Sequence, residues 1–184
     1  LRRVKKEIVT QVEKKGFANS QIHILAGLTR LRQICNHPAL VLPPRKRGAY
    51  PSAKLDACLD IIEKMRSENR KEMVFSQFTS MLDILAKELV GRKIPYSYLS
   101  GKTKDRKQAV NDFTQDEAKT VFLISTKAGG VGLNLTAADA VVIFDPWWNP
   151  QIERQAIDRA HRIGQSKTVH VYRLRTIGTI EEKI

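Results

Sequence analysis

Two arginines three residues apart, Arg159 and Arg162 in the stretch DRAHRIGQ, open the question of what this chain does. Read as the middle of a helix, the stretch puts them on one face, because residues at i and i+3 are neighbours there. Gln155, one turn earlier, joins that face. Ile152, Ala156, Ala160 and Ile163 form another stripe, apolar enough to pack on a sheet. A Gln-Arg-Arg stripe on a packed helix is either a solvated charged face, paired with Asp158 or Glu153, or an anion site. The planar guanidinium fork matches phosphate oxygens in geometry as well as charge, so the remaining loops decide between the two readings.

Four of those loops carry compatible chemistry. In STKAGGVG, Gly129, Gly130 and Gly132 let a backbone approach a ligand and expose its N–H groups, while Ser125 and Thr126 add hydroxyls and Lys127 a charge. The chemistry is that of a phosphate-contact loop. DPWWNP sets two tryptophans between prolines in a tight turn. Both cannot point inward, so one is expected to be exposed, with Trp148 as the candidate stacking platform for a base or sugar. SQF supplies Ser76 and Gln77, and SGKT supplies Ser100 and Lys102. No G-x-x-x-x-G-K-[ST] loop occurs among the 184 residues, and the third glycine of G-x-G-x-x-G is lacking, so ATP is not held here by the usual cradle. No nucleophile elbow, His/Asp pair, carboxylate cluster or zinc spacing occurs either.

The elements that must position these loops follow from periodicity. Residues 2–15 read as a basic helix stopped by Gly16. Ser20 caps a second helix whose stripe is Ile24, Leu28, Leu31 and Cys35, ended by Asn36-His37-Pro38. PPRKRGAYPS, 43–52, reads as a linker, and so divides the chain into a helical segment 1–42 and a body 53–184. In the body Ser52 caps a helix with Leu55, Leu59, Ile62 and Met65. A strand is expected at 73–76, a helix carrying Leu82, Leu85 and Leu89, and a strand at 96–99. Thr103 is expected to cap a helix burying Phe113. Strands follow at 120–125 and 140–144, then the arginine helix around 150–162 and a strand at 169–175. Thr179 with Glu182 fits a capping box. Strands alternating with helices give an α/β fold, a parallel sheet covered on both faces. Ligands then meet loops beyond the carboxyl ends of the strands, which is where SQF, SGKT, STKAGGVG and DPWWNP fall.

Composition sets the class of partner. The net charge is +13, and residues 1–50 hold eleven Lys/Arg against two Asp/Glu, leaving the other 134 residues at only +4. A basic arm on a nearly balanced body is the footprint of a polyanion. At 42% hydrophobic and 28% charged residues the chain carries a packed core. No bilayer-length apolar run or signal peptide is read in it, and Cys35 and Cys58 are expected as buried free thiols in a reducing compartment.

VFSQF, LSGKT, STKAGGVGLNLTAADAVVIFDPWWNP and QAIDRAHRIGQ together resemble the motifs of the second RecA-like lobe of superfamily-two helicases. With the upstream LRQICNHPAL they resemble, more narrowly, the Swi/Snf-type DNA-translocating ATPases. The resemblance implies a RecA-like lobe preceded by the tail of a helical protrusion. It implies that Arg159 and Arg162 reach a triphosphate held by the other, N-terminal lobe, with Gln155 orienting the site and Gly130 and Gly132 beside the nucleotide. It implies ATP and Mg2+ as cofactors held mainly by that other lobe. It further implies double-stranded DNA as partner, touched by Ser76, Gln77, Ser100, Lys102, Ser125, Thr126, Lys127 and Trp148. Residues 1–184 alone are then expected to hydrolyse no ATP. A related strand-separating helicase, or a DNA-binding module without catalysis, stays as the alternative. The short protrusion leans towards a bacterial or archaeal cytoplasm or nucleoid over a eukaryotic nucleus.

Overall fold

A computed structural model describes the backbone of residues 2–43, 50–129, 135–161 and 168–184 and, along the first helix, side chains at 9–10 and from 21 onward. The chain opens on α1 (Arg2–Asn36), a short 3-10 turn at Pro38–Leu40, and α2 (Ala53–Ser67). Then come β1 (Glu72–Ser76), α3 (Thr79–Gly91), β2 (Tyr96–Leu99), α4 (Arg106–Gln115), β3 (Val121–Ser125) and β4 (Ala140–Ile143). α5 (Pro150–Ala160), β5 (His170–Arg173) and a 3-10 turn at Ile180–Lys183 complete it.

Every strand pairing is parallel, in the order β2-β3-β1-β4-β5. Registers are level: Glu72 faces Val121 on one side and Ala140 on the other, and Ser76 faces Ser125 at the far end. The expected parallel sheet is therefore present, and the strands finish along one edge. β1, β3 and β4 are buried at every residue, which is why they read as continuous apolar runs. One face of the sheet packs Val74, Leu123, Val142 and Phe144 against Leu59, Ile62, Leu82 and Leu85 of α2 and α3. The other packs Met73, Phe122, Ile124 and Val141 against Phe113 of α4 and Ala156 and Ala160 of α5. Burying two such faces supplies the bulk of the folding drive.

Four local expectations are corrected. Gly16 does not stop the first helix: α1 runs unbroken through it. An interior glycine costs about 1 kcal/mol relative to alanine, and it terminates a helix only where the backbone turns left-handed. Thr103 does not cap α4. Its Oγ1 accepts from the Ser100 amide at 2.9 Å, closing the turn after β2, and Asp105 caps instead by accepting from the Gln108 amide at 2.8 Å. α5 ends at Ala160 with His161 in extended conformation, short of the end expected around 162. Thr179 accepts from the Glu181 amide as a cap, but Glu182 reaches the Gly178 amide rather than that of Thr179. The cap at Ser52, accepting from the Leu55 amide, is as expected.

α1 is joined to the body by its last turns. Ser52 Oγ donates to Asn36 O at 2.9 Å and Thr176 Oγ1 to Cys35 O at 3.3 Å. Lys54 Nζ, itself buried, donates to Asn36 Oδ1 at 3.0 Å and to both oxygens of the fully buried Glu181 at 2.6 and 2.8 Å. Burial pulls the Lys54 ammonium below its ordinary range, against the pull of the Glu181 charge. Glu181 also accepts from the Thr176 amide, so one ion pair ties α1, α2 and the C-terminal turn together.

Candidate nucleic-acid and nucleotide interface

The level strand ends bring the predicted loops to one edge. A groove of about 520 Å3 opens over β2, β3 and β1 and is lined by Gln77, Thr79, Asp83, Tyr98, Ser100, Gly101, Lys102, Thr103, Ser125 and Lys127. Lys102 and Lys127 are exposed at its lip. Ser100 Oγ accepts from the Lys102 amide at 3.2 Å, and this fixes the turn that presents the lysine. Asp83 accepts the Tyr98 hydroxyl at 2.9 Å. Burial, then that hydrogen bond, push the Tyr98 phenol well above its ordinary range, so it stays a neutral donor. The Ser125 backbone oxygen accepts from the Ala128 and Gly129 amides at 2.9 and 3.0 Å, curling the loop back over the strand end. Gly129 is required there: a Cβ would stand 2.9 Å from Phe75 Cε1, beneath the loop.

Not every predicted contact residue is free to make contact. Gln77, Ser100, Lys102, Ser125 and Lys127 come together in the groove. Ser76 is buried and its hydroxyl donates to Asp145 Oδ1, so it is turned into the protein rather than towards a ligand. Thr126 is half-buried, its amide donating to Ser76 O at 3.0 Å. Trp148 is 49% exposed on the turn after β4 and Trp147 is half-buried, which is the division expected of the pair. On α5, Asn149 caps the helix by accepting from the Gln151 amide, and Pro150 occupies its first turn. Gln155 is exposed and Arg159 half-buried. Glu153 accepts from the Trp147 amide at 3.1 Å and from Arg173 Nε at 2.9 Å. Arg162, Gly130 and Gly132 lie outside the described residues.

Sequence reasoning missed Asp145 and Arg32. Asp145, fully buried, accepts from Ser76 Oγ and, at 3.2 Å, from the Gln77 amide. Burial raises its carboxyl above the usual range, while those two hydrogen bonds and the charges of Arg32 and Lys54 pull it back. Arg32 comes from α1 with its guanidinium 3.7 Å from Asp145 Oδ2, donating to Pro146 O and lying 5.8 Å over the Phe78 ring. The aspartate was legible only as part of DPWWNP, and nothing in local spacing links it to residue 32.

A level, all-parallel five-stranded sheet with helices on both faces and phosphate-compatible groups along its carboxyl edge defines a RecA-like α/β lobe. The chain belongs to the helicase conserved C-terminal domain family, which it matches over residues 53–164, and within it to the Snf2-type second lobe. It is 42% identical over 180 residues to the ISWI chromatin-remodeling complex ATPase ISW1 of Saccharomyces cerevisiae, over 92% of this chain and 16% of that protein. It is 41% identical over 184 residues to human chromodomain-helicase-DNA-binding protein 1, over 92% of this chain and 11% of that one. The Sulfolobus solfataricus SWI2/SNF2 ATPase core solved in complex with dsDNA superposes with a TM-score of 0.81 at 30% identity, covering 98% of this chain and 38% of that chain. The chain thus spans a small part of the length of these relatives.

Proposed function

We propose that the chain is the second motor lobe of an ATP-driven double-stranded-DNA translocase of the chromatin-remodelling type. Its groove edge grips the phosphate backbone, and its arginines act on a triphosphate held by a separate N-terminal lobe. The observation that carries this reading is the gathering of Lys102, Lys127, Gln77 and Ser100 in one groove at the carboxyl edge of the sheet, on the fold whose solved relative was captured with dsDNA. Ammonium and amide groups on a backbone groove read charge and spacing, not sequence. The exposed Trp148 adds an aromatic face one strand further along.

Arg159 sits in the last turn of α5, which packs on the sheet through Ala156 and Ala160, and Arg162 follows three residues on in the sequence. An arginine offered across a cleft stabilises charge on a transferring phosphoryl group. Gln155, exposed one turn before Arg159, orients that contact. The Mg2+ of the reaction would be held, with most of the nucleotide, by that N-terminal lobe. In the full-length enzyme Arg162→Ala should lower DNA-stimulated ATPase by about 10³-fold or more, with ATP affinity changing far less. A rate within a few-fold of wild type would remove Arg162 from the reaction, and Arg159→Ala tests its neighbour in the same way. Displacement of a third strand from a triplex, without separation of a plain duplex, tests translocation against unwinding.

A further inference from the structure

The turns after β1 and β4 hang on a single carboxylate. Asp145 accepts from Ser76 and from the Gln77 amide, and the same residue begins the turn that carries Trp147 and Trp148. That carboxylate is wholly buried, and a buried charge persists only when paired. Among the described residues the cation that faces it is supplied by α1, an element that contributes no strand to the sheet. Arg32 is 5% exposed, faces Asp145 Oδ2, donates to the backbone oxygen of Pro146 in the β4 turn and lies over Phe78 of the β1 turn. One guanidinium therefore touches both turns at once. A point-charge ammonium on a shorter reach cannot do the same, because only a planar fork serves a carboxylate, a carbonyl and a ring face together.

We propose that Arg32 is a positioning residue that locks the Gln77 turn and the Trp147–Trp148 turn into one unit and so tunes the enzyme's response to DNA. The DNA half of this rests on the reading of the groove given above. Held this way, Gln77 in the groove and Trp148 beside it keep one mutual geometry, and the direction of α1 at its last turns is tied to that geometry. Neither turn contributes a bond to the other except through Asp145 and the ladder pairing beneath, as in Phe144 N to Phe75 O at 2.9 Å. Loss of the arginine therefore frees the two turns together rather than one of them.

The test is made in the full-length enzyme with Arg32→Met and Arg32→Lys, reading amide hydrogen exchange by segment and the DNA concentration that half-saturates the ATPase. Arg32→Met is expected to speed exchange at Gln77 and at Trp147 together by about tenfold or more, with the strands unchanged. It is expected to raise the half-saturating DNA concentration by about fivefold or more, with a smaller change in the maximal rate. Arg32→Lys, which keeps the charge and loses the fork, should fall between. If exchange rises throughout the lobe the methionine variant has unfolded, and Arg32→Lys then carries the same two readings. Loosening of only one turn, or of neither, overturns the proposal. So does loosening of both with no change in DNA dependence while Lys127→Ala does change it. If both turns loosen and neither Arg32→Met nor Lys127→Ala moves the DNA dependence, the coupling of the turns stands and the groove is not where DNA binds.

Discussion

Glu72 offers a measurement on the fold that needs no ligand. It is the first residue of the central strand β1, 0% exposed, and neither carboxylate oxygen has a hydrogen-bond partner. Burial lifts its carboxyl from 4.5 to about 8. Because the folded value lies above the unfolded one, the fold holds this proton more tightly than the unfolded chain does. Its contribution is complete below about pH 4.5, drains away as pH rises through the window to about 8, and is lost above it. At about pH 7 the unfolded carboxylate is ionised and the folded one largely is not. Bringing the proton back costs roughly 3 kcal/mol, at 1.36 kcal/mol per unit of pH above 4.5. Glu72→Gln keeps the shape and removes the titration. It should leave stability at about pH 4.5 within roughly 1 kcal/mol of wild type. At about pH 7 it should raise stability by roughly 2–3 kcal/mol, or about 5–10 °C in Tm for a chain of this size. Thermal unfolding followed by circular dichroism at a series of pH values reads the difference directly, since every other titrating group cancels between the two proteins. A variant whose stability tracks that of wild type with a constant offset across this window refutes the unpartnered, proton-holding carboxyl.

Lys54→Met strands the buried Glu181 charge and should destabilise by about 3–5 kcal/mol; the double variant Lys54→Met, Glu181→Leu should recover most of that in a denaturant titration. Lys127→Ala and Lys102→Ala should each weaken DNA binding equally on unrelated sequences and flatten the salt dependence by about one unit, measured by fluorescence anisotropy at several salt concentrations. Trp148→Ala, on an exposed side chain, should change stability by less than about 1 kcal/mol while abolishing triplex displacement, with DNA-free ATP turnover as the control.

The sheet was legible because parallel strands buried on both faces leave unbroken apolar runs, and VFLIS and AVVI admit no other reading of comparable quality. The groove followed, because level parallel strands must deliver their carboxyl-end loops to one edge. Cap positions were legible only where a single candidate stood before the helix, as at Ser52. After β2 the turn at Ser100 takes Thr103, and Asp105, two residues on, caps the helix instead. α1 was split in two because an interior glycine looks like a stop when nothing else is known of the segment. The Arg32–Asp145 pair and Glu72 were out of reach for a different reason. Their energetics depend on a contact 113 residues apart, or on the absence of a hydrogen-bond partner, and neither leaves a local period.

α1 has a consequence in mechanics. Its 35 residues, at 1.5 Å each, make a rod of about 52 Å. It is pinned at Arg32, Cys35 and Asn36, while Ile22 and Leu25 further out stand 80% and 63% exposed. A rod fixed at one end is a lever. A tilt of about 4° at the root sweeps the far end through roughly 3.5 Å, close to the 3.4 Å that B-form DNA rises along its axis per base pair. A helix anchored in this way would turn a small change of direction at its root into a larger displacement at its far end.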